Sequence, residues 1–319
     1  MIANTHKRSS VVAKAYSLLK DEVQKGYRDV VEQGTPISPR KDSTASASNG
    51  QSKDADIIAQ EVAEEQKLES FVEVFKSKYK DLINSFRPKA DDPILYKLDA
   101  FSIINWGLRE VPHTKILAYF LDSRKEHGLG IWPIKYFLKC LALNIPEKTK
   151  VGLIDIENTK VEVKAECFIN KEDKLDILIK IDADKLKWHL VIEGKIEMKV
   201  DTKQLKRYER KFSPKRDMLL LLLKDHMAEN ISKRWYPIRW LQIARALTAM
   251  TYDPNFIEHV TNSIDARHGL ELLRLWLSTV FHHVCDIETP QFSETEDTES
   301  IKSLVDIGSH LREIRDKYI

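Results

Sequence analysis

Asp176 lies in the apolar run Leu175 to Ile181, and Glu193 and Lys195 close a second run, Trp188 to Ile196. Two carboxylates and a lysine brought together from neighbouring strands could hydrolyse a phosphodiester. At neutral pH that reaction needs a hydroxide equivalent and neutralisation of charge on phosphorus. One or two Mg²⁺ (or Mn²⁺) ions held by carboxylates supply both, because hard cations prefer oxygen ligands and acidify bound water. If the two runs form a hairpin turning around Asp184 and Lys185, Asp176 and Glu193 stand opposite each other across the ladder. Strand alternation then puts Glu193 and Lys195 on one face and Ile192, Gly194 and Ile196 on the other. Two acids that close repel unless a cation joins them, so the pairing argues for a metal. Lys195 would sit beside the metal-bound water or the scissile phosphate as a point charge and proton-handling group. The carbonyl of Gly194 is a further metal-ligand candidate.

An E-x-K tripeptide alone is commonplace here, since Glu65-Gln66-Lys67, Glu162-Val163-Lys164 and Glu197-Met198-Lys199 match it too. Solvated charges on an exposed hairpin face are also commoner than catalytic ones. Glu193-Gly194-Lys195 is set apart by ending an apolar strand that follows a strand with an acid near its start. Gln204 and Tyr208 come next, four residues apart and so on one helix face. Leu205, Tyr208 and Phe212 can pack that helix on the sheet, which leaves Gln204 either turned toward the acids or an ordinary surface residue. Lys199, Lys203, Lys206, Arg207, Arg210, Lys211, Lys215 and Arg216 crowd the same stretch. They form either a solvated face or a phosphate-binding patch, in which Lys206 and Arg210 would lie nearest DNA.

Positioning these residues requires strands and helices in a particular order. Apolar residues recur at helical spacing from Ser10 to Gln33, giving an amphipathic helix that could dock on its own domain, on a dimer mate or on a partner. The Ser-, Pro- and Asp-rich stretch from Gly34 to Asp56 lacks the apolar surface to offset its ordering entropy and is expected to be a flexible linker. A helix follows over Ile57 to Phe86. Another begins near Val111, with Pro112 in its first turn. The period then changes: Val161 to Ile169, Leu175 to Ile181 and Trp188 to Ile196 read as a three-strand meander. Asp201 and Thr202 can cap a helix through Phe212, and Met218 to Leu223 reads as a buried strand. Pro237 is expected to open a helix through Met250, and helical patterns return at Phe256 to Ile264 and Leu270 to His283. Low order is expected from Glu288 to Glu299, ahead of a last helix from Ile301. The expected division is 1–56 (helix and linker), 57–287 (catalytic domain with helical flanks) and 288–319 (acidic polar tail with terminal helix).

The 319 residues carry a formal net charge of +2, so a polyanionic partner must be met by a local patch rather than by the whole chain. Three scattered cysteines, Cys140, Cys167 and Cys285, form no disulfide framework and favour a reducing, cytoplasmic setting. The longest apolar run, Met218 to Leu223, is too short to span a bilayer, so no membrane association is expected. His282, His283 and Cys285 lack the further ligands a zinc site needs. Phosphate loops, dinucleotide fingerprints and serine-hydrolase elbows are absent.

Asp176, Glu193-x-Lys195 and Gln204-x-x-x-Tyr208, on helix, three strands, helix, strand, resemble the PD-(D/E)XK nuclease superfamily and its RecB-like branch. The run Glu110-Val111-Pro112-His113-Thr114 through Leu121-Asp122, then His127-Gly128-Leu129-Gly130, resembles the E-x-x-H-S…H-G-L-G opening of a bacterial subfamily. Lys174 to Ile179 and Ile192 to Ile196 are similar to its R-I-D-I-L-I and I-E-N-K-I blocks. The resemblance implies an α/β, restriction-endonuclease-like core with flanking helices and a metal-dependent deoxyribonuclease acting in defence against foreign DNA. It adds Glu110 to the metal ligands Asp176, Glu193 and Gly194, with Glu166 as a weaker candidate, and gives Gln204 and Tyr208 the orienting of phosphate or metal ligands. Thr114 replaces the usual Ser, Gly194 replaces Asn, and Leu175 stands where the superfamily's Pro would. The alternative is a catalytically silent nuclease fold that binds nucleic acid or assembles a complex.

Overall fold

The computed structural model describes residues 73–74, 76–97, 101, 110–145, 156–170, 173–183, 186–196, 200–214, 216–224, 231–288 and 298–319. The expected N-terminal helix and linker, the turn at Asp184 and Lys185, and most of the stretch from Glu288 to Glu299 fall outside them. Contacts divide the chain into two units, one of 1–87 with 290–309 and one of 88–289 with 310–319. In the first, residues 76–85 are helical, and Tyr79 and Leu82 pack with Val305. Gly308 is required there, since a β-carbon would stand 1.9 Å from the Tyr79 ring.

The second unit contains helix α1 (Glu110–Leu121), α2 (Trp132–Asn144), strands β1 (Lys160–Phe168), β2 (Lys174–Ala183) and β3 (Leu186–Gly194), α3 (Thr202–Lys211), then β4 (Asp217–Leu223) and β5 (Trp235–Arg239). Helices α4 (Trp240–Met250), α5 (Pro254–Thr261) and α6 (Ile264–Thr279) follow, and α7 (Thr298–Glu313) begins in the first unit and ends in the second. The sheet order is β1-β2-β3-β4-β5, with β1, β2 and β3 antiparallel and β4 and β5 added in parallel. Helix, meander, helix and strand is the expected restriction-endonuclease-like core. Met218 to Leu223 are buried along their whole length, as a parallel strand flanked on both sides requires.

One expectation fails at Pro237, which does not open a helix but sits within β5, and α4 starts only at Trp240. A proline is tolerated there because β5 is the edge strand and Pro237 is exposed. Helix α3 follows its sequence signals closely: Asp201 caps it by accepting from Lys203 N–H at 2.8 Å, and Leu205 and Tyr208 are its buried residues.

The loop after α1 is fixed by local chemistry. Asp122 accepts from Arg124 through both oxygens, at 2.8 and 2.9 Å. His127 Nδ1 accepts the Leu129 N–H at 2.9 Å, which leaves Nε2 to donate to the Asp122 carbonyl at 3.1 Å. Gly128 has φ +68°, and a β-carbon on it would meet the Ala266 nitrogen at 2.5 Å. Gly269 of α6 lies against the His127 carbonyl, where a β-carbon would come within 1.8 Å. The H-G-L-G motif is thus a wedge that seats the end of α1 on α6. His113 is structural too: it is buried and accepts the Trp276 indole N–H at 3.1 Å.

Candidate active site

The β2–β3 register runs to Ile177 opposite Ile192, so Asp176 and Glu193 occupy the next step of the ladder. That step ends β3, beside the N-terminus of α1. Glu110, the first residue of α1, brings its carboxylate there, and one oxygen each of Glu110, Asp176 and Glu193 lies within 4.8 Å of the others. Among the described residues no other group of three or more His, Cys, Asp or Glu side chains comes together in this way.

Each member is held by specific bonds. The Gly194 N–H donates to Asp176 Oδ2 at 2.7 Å. Lys195 Nζ donates to Glu193 Oε1 at 2.7 Å and to Glu110 Oε1 at 3.0 Å. Glu193 and Lys195 are 2% and 8% exposed, so these charges are nearly dry and strongly coupled. Burial pushes the Asp176 carboxyl up to about 6, with the Gly194 N–H working against the rise and the charge of Glu110 adding to it. Glu193 is pushed up to about 7, first by burial and then by the charge of Asp176. Burial opposes the charge on Lys195 as well, but Glu193 and Glu110 outweigh it and hold the ammonium above the usual lysine range. Glu193 stays high despite its ion pair because burial and the charges of Asp176 and Glu110 outweigh the ammonium.

The donor set fits a hard divalent cation. Three carboxylates against one lysine leave two negative charges uncompensated when all are ionised. Glu110 Oε2 and Glu193 Oε2 are buried and accept no hydrogen bond, a costly state for a carboxylate oxygen that a cation relieves.

Gln204 and Tyr208 do meet, but beside the cluster rather than within it. The Gln204 amide donates to the Tyr208 hydroxyl at 2.7 Å, and that hydroxyl donates to the Lys174 carbonyl at 2.7 Å. Both residues therefore brace the start of β2, two residues before Asp176. Tyr208 is pushed up to about 12 by burial and by the charge of Glu193, so it keeps its proton as a donor. Glu166 stands across the ladder from Asp176 but is not a member of the three-carboxylate group. Its oxygens are taken by Lys115 and Lys174, and its backbone has φ +50°. Lys206 and Arg210 are exposed on α3, whereas Arg207 of the same basic run is drawn into an ion pair with the buried Asp173 at 2.8 Å.

Sequence reasoning missed one contact that shapes the site. Thr114 is fully buried, with its hydroxyl donating to the Val111 carbonyl at 3.1 Å. Its methyl Cγ2 faces Gly194, where a β-carbon would stand only 2.6 Å away. Two of the three departures from the resembled motif thus meet in one contact: a serine lacks the methyl that excludes a side chain at 194. Gly194→Ala is expected to cost about 1–3 kcal/mol by overpacking, and Thr114→Ser to remove most of that cost. Thr114→Ser alone should lose roughly 1 kcal/mol for the missing methyl. Chemical denaturation of the four proteins tests this; additive changes would mean that the contact does not couple them.

A model of the PD-(D/E)XK nuclease superfamily matches residues 98–270. No curated protein and no solved structure matches the chain. Among the described residues no helix is long and apolar enough to cross a membrane. The family match covers more than half of the chain and brackets every residue of the cluster, and the chain therefore belongs to the PD-(D/E)XK nuclease superfamily.

Proposed function

We propose that this protein is a Mg²⁺- or Mn²⁺-dependent deoxyribonuclease, with Glu110, Asp176 and Glu193 as metal ligands and Lys195 as the catalytic cation. The reading is carried by the convergence of three carboxylates within 4.8 Å around one buried ammonium, with two buried carboxylate oxygens left bare. A bound divalent ion supplies an acidified water and charge neutralisation at phosphorus. The chain's own residues do the rest. Lys195 offers a fixed positive charge, and its Nζ protons, where phosphate charge grows. Gly194 holds the Asp176 carboxylate through its N–H, and its carbonyl is a further ligand candidate. Tyr208, aligned by Gln204, fixes the Lys174 carbonyl and so the start of the strand that carries Asp176. Lys206 and Arg210 take backbone phosphates by salt-sensitive, sequence-independent attraction.

Defence against foreign DNA and a cytoplasmic setting in a bacterium rest on the resemblance and on the cysteine usage. The N-terminal amphipathic segment is a candidate surface for a partner or dimer mate. Purified protein should cleave plasmid or single-stranded DNA with Mg²⁺ or Mn²⁺, not in EDTA, and Asp176→Ala should abolish the cleavage. No cleavage with either metal, or equal cleavage by the variant, would leave the silent, nucleic-acid-binding module as the better description.

A further inference from the structure

Phe168 is the only exposed aromatic side chain among the described residues, at 66%. Every other described Phe, Tyr or Trp is buried or half-buried, so its exposure is not a general feature of this surface. It ends β1 and is paired with Lys174 at the start of β2. Its neighbours Cys167 and Ile169 both pack against the core cluster around Leu175, Leu205 and Tyr208. Alternation along the strand therefore turns Phe168 outward. The strand paired with it is anchored there, since Leu175 is fully buried and the Lys174 carbonyl accepts from the Tyr208 hydroxyl.

The ring also sits close to the metal ligands. Ladder pairs Ala165 with Ile177 and Cys167 with Leu175 put Glu166 opposite Asp176, and Phe168 lies two residues beyond, roughly 7 Å along the strand. Lys174 Nζ lies 5.5 Å from the ring centroid and also binds Glu166, which Lys115 binds from α1. With the Lys174 ammonium over the ring and the rest of this 66%-exposed aromatic open to solvent, two residues along the strand from Glu166, the position combines the two parts of a single-strand platform: stacking for a base and positive charge for its phosphate.

We infer that Phe168 stacks on an unpaired base of the substrate strand next to the scissile phosphate. This deepens the nuclease reading and rests on it for the identity of the substrate. Its consequence is a substrate class: DNA in which the base beside the cut is unpaired, as in single strands and frayed ends. A base held inside a duplex offers no face to the ring. Lys174 and Lys115, which share the single carboxylate of Glu166, then leave one net positive charge for the backbone that follows the stacked base.

The test measures binding in EDTA, so it does not depend on cleavage. A labelled oligothymidylate is titrated with wild type, Phe168→Ala and Phe168→Trp, and then a series with a single abasic position moved along the strand. Phe168→Ala should weaken binding about 5- to 150-fold, Phe168→Trp should restore it, and the tryptophan emission should be quenched by the oligonucleotide. One abasic position should weaken wild type to the level of Phe168→Ala and leave Phe168→Ala unchanged. Blunt duplex should bind both alike. Equal binding of the oligothymidylate by wild type and Phe168→Ala, or the same abasic penalty in both, would overturn the inference. If the protein binds as expected but cleaves nothing in Mg²⁺ or Mn²⁺, the nuclease reading fails and the platform stands. If cleavage is metal-dependent but Phe168→Ala changes neither binding nor rate, the platform fails and the nuclease reading stands.

Discussion

Lys195→Ala should lower the cleavage rate by about 10²- to 10⁴-fold, the range for loss of a proton-handling or charge-stabilising group, while leaving cation binding intact. The ammonium is bonded to Glu193 and Glu110 at 2.7 and 3.0 Å, so its loss removes the only positive charge bonded to these carboxylates among the described residues. The three acids then attract a divalent ion at least as strongly as before. The rate and the binding should therefore separate. Lys195→Arg is not expected to rescue, because a planar guanidinium cannot occupy the site of a compact ammonium between two buried carboxylates. Cleavage under saturating Mn²⁺ and the Mn²⁺-induced rise in melting temperature are the two measurements. A variant that loses both would make Lys195 a structural counter-ion; one that loses neither would remove it from the reaction.

In metal-free protein, stability should fall as pH rises from about 4 to 7 on account of Asp176 and Glu193, and Mn²⁺ should reverse the fall. The sign follows from where the protons sit. Asp176 is pushed up from 3.8 to about 6, and Glu193 from 4.5 to about 7. The folded state therefore binds more protons than the unfolded one in that window, and its advantage disappears as pH passes the folded values. A displacement of about two pH units corresponds to on the order of 3 kcal/mol. Because the two acids titrate together, that magnitude belongs to the pair rather than to either residue.

Other groups run the opposite way but elsewhere or more weakly. Asp92, completely buried, is held below its usual range: burial would raise it, but His310, Tyr252 and the Ile94 N–H outweigh that. Its contribution is lost only as pH falls through its lowered value, below the window in question. His127 is depressed by burial, so its effect on stability rises with pH within the window. For this reason the comparison should be made against Asp176→Asn. In EDTA that variant should be more stable than wild type above pH 7 and should show little response to Mn²⁺. Equal stability of the two at pH 8, or a Mn²⁺ response kept by the variant, would show that the acids neither strain the fold nor bind the ion.

The meander, α3 and β4 were legible because their signals are local. Period-two runs, the Asp201 cap and an unbroken apolar strand each act over fewer than a dozen residues. Asp176 and Glu193 were legible for the same reason, since hairpin register alone sets them opposite. Glu110 was not, because nothing in its own stretch ties the start of α1 to the end of β3; only resemblance to a known opening pointed there. β5 was misread because Pro237 has two uses, opening a helix or sitting in an edge strand, and only the register with β4 decides between them. Glu166 was a weaker candidate by resemblance, and the two lysines that bond its oxygens, one of them 51 positions earlier in the chain, could not be read from its own stretch. Thr114 and Gly194 each looked like an isolated change because their contact spans the helix–sheet boundary.

Pro237 has a consequence for how this molecule can meet copies of itself. A sheet margin with free N–H and C=O groups is a template for another chain's strand. At β5 the proline has no N–H to offer, and the strand is only five residues long. At the other margin, β1 carries Lys160, Glu162 and Lys164 and then the left-handed turn of backbone at Glu166. Neither border can be zipped onto a further strand without loss of bonds or burial of charge. Strand addition, the route by which a nearly all-leucine strand such as β4 would otherwise expose the chain to nucleated aggregation, is thereby disfavoured at both ends of the sheet.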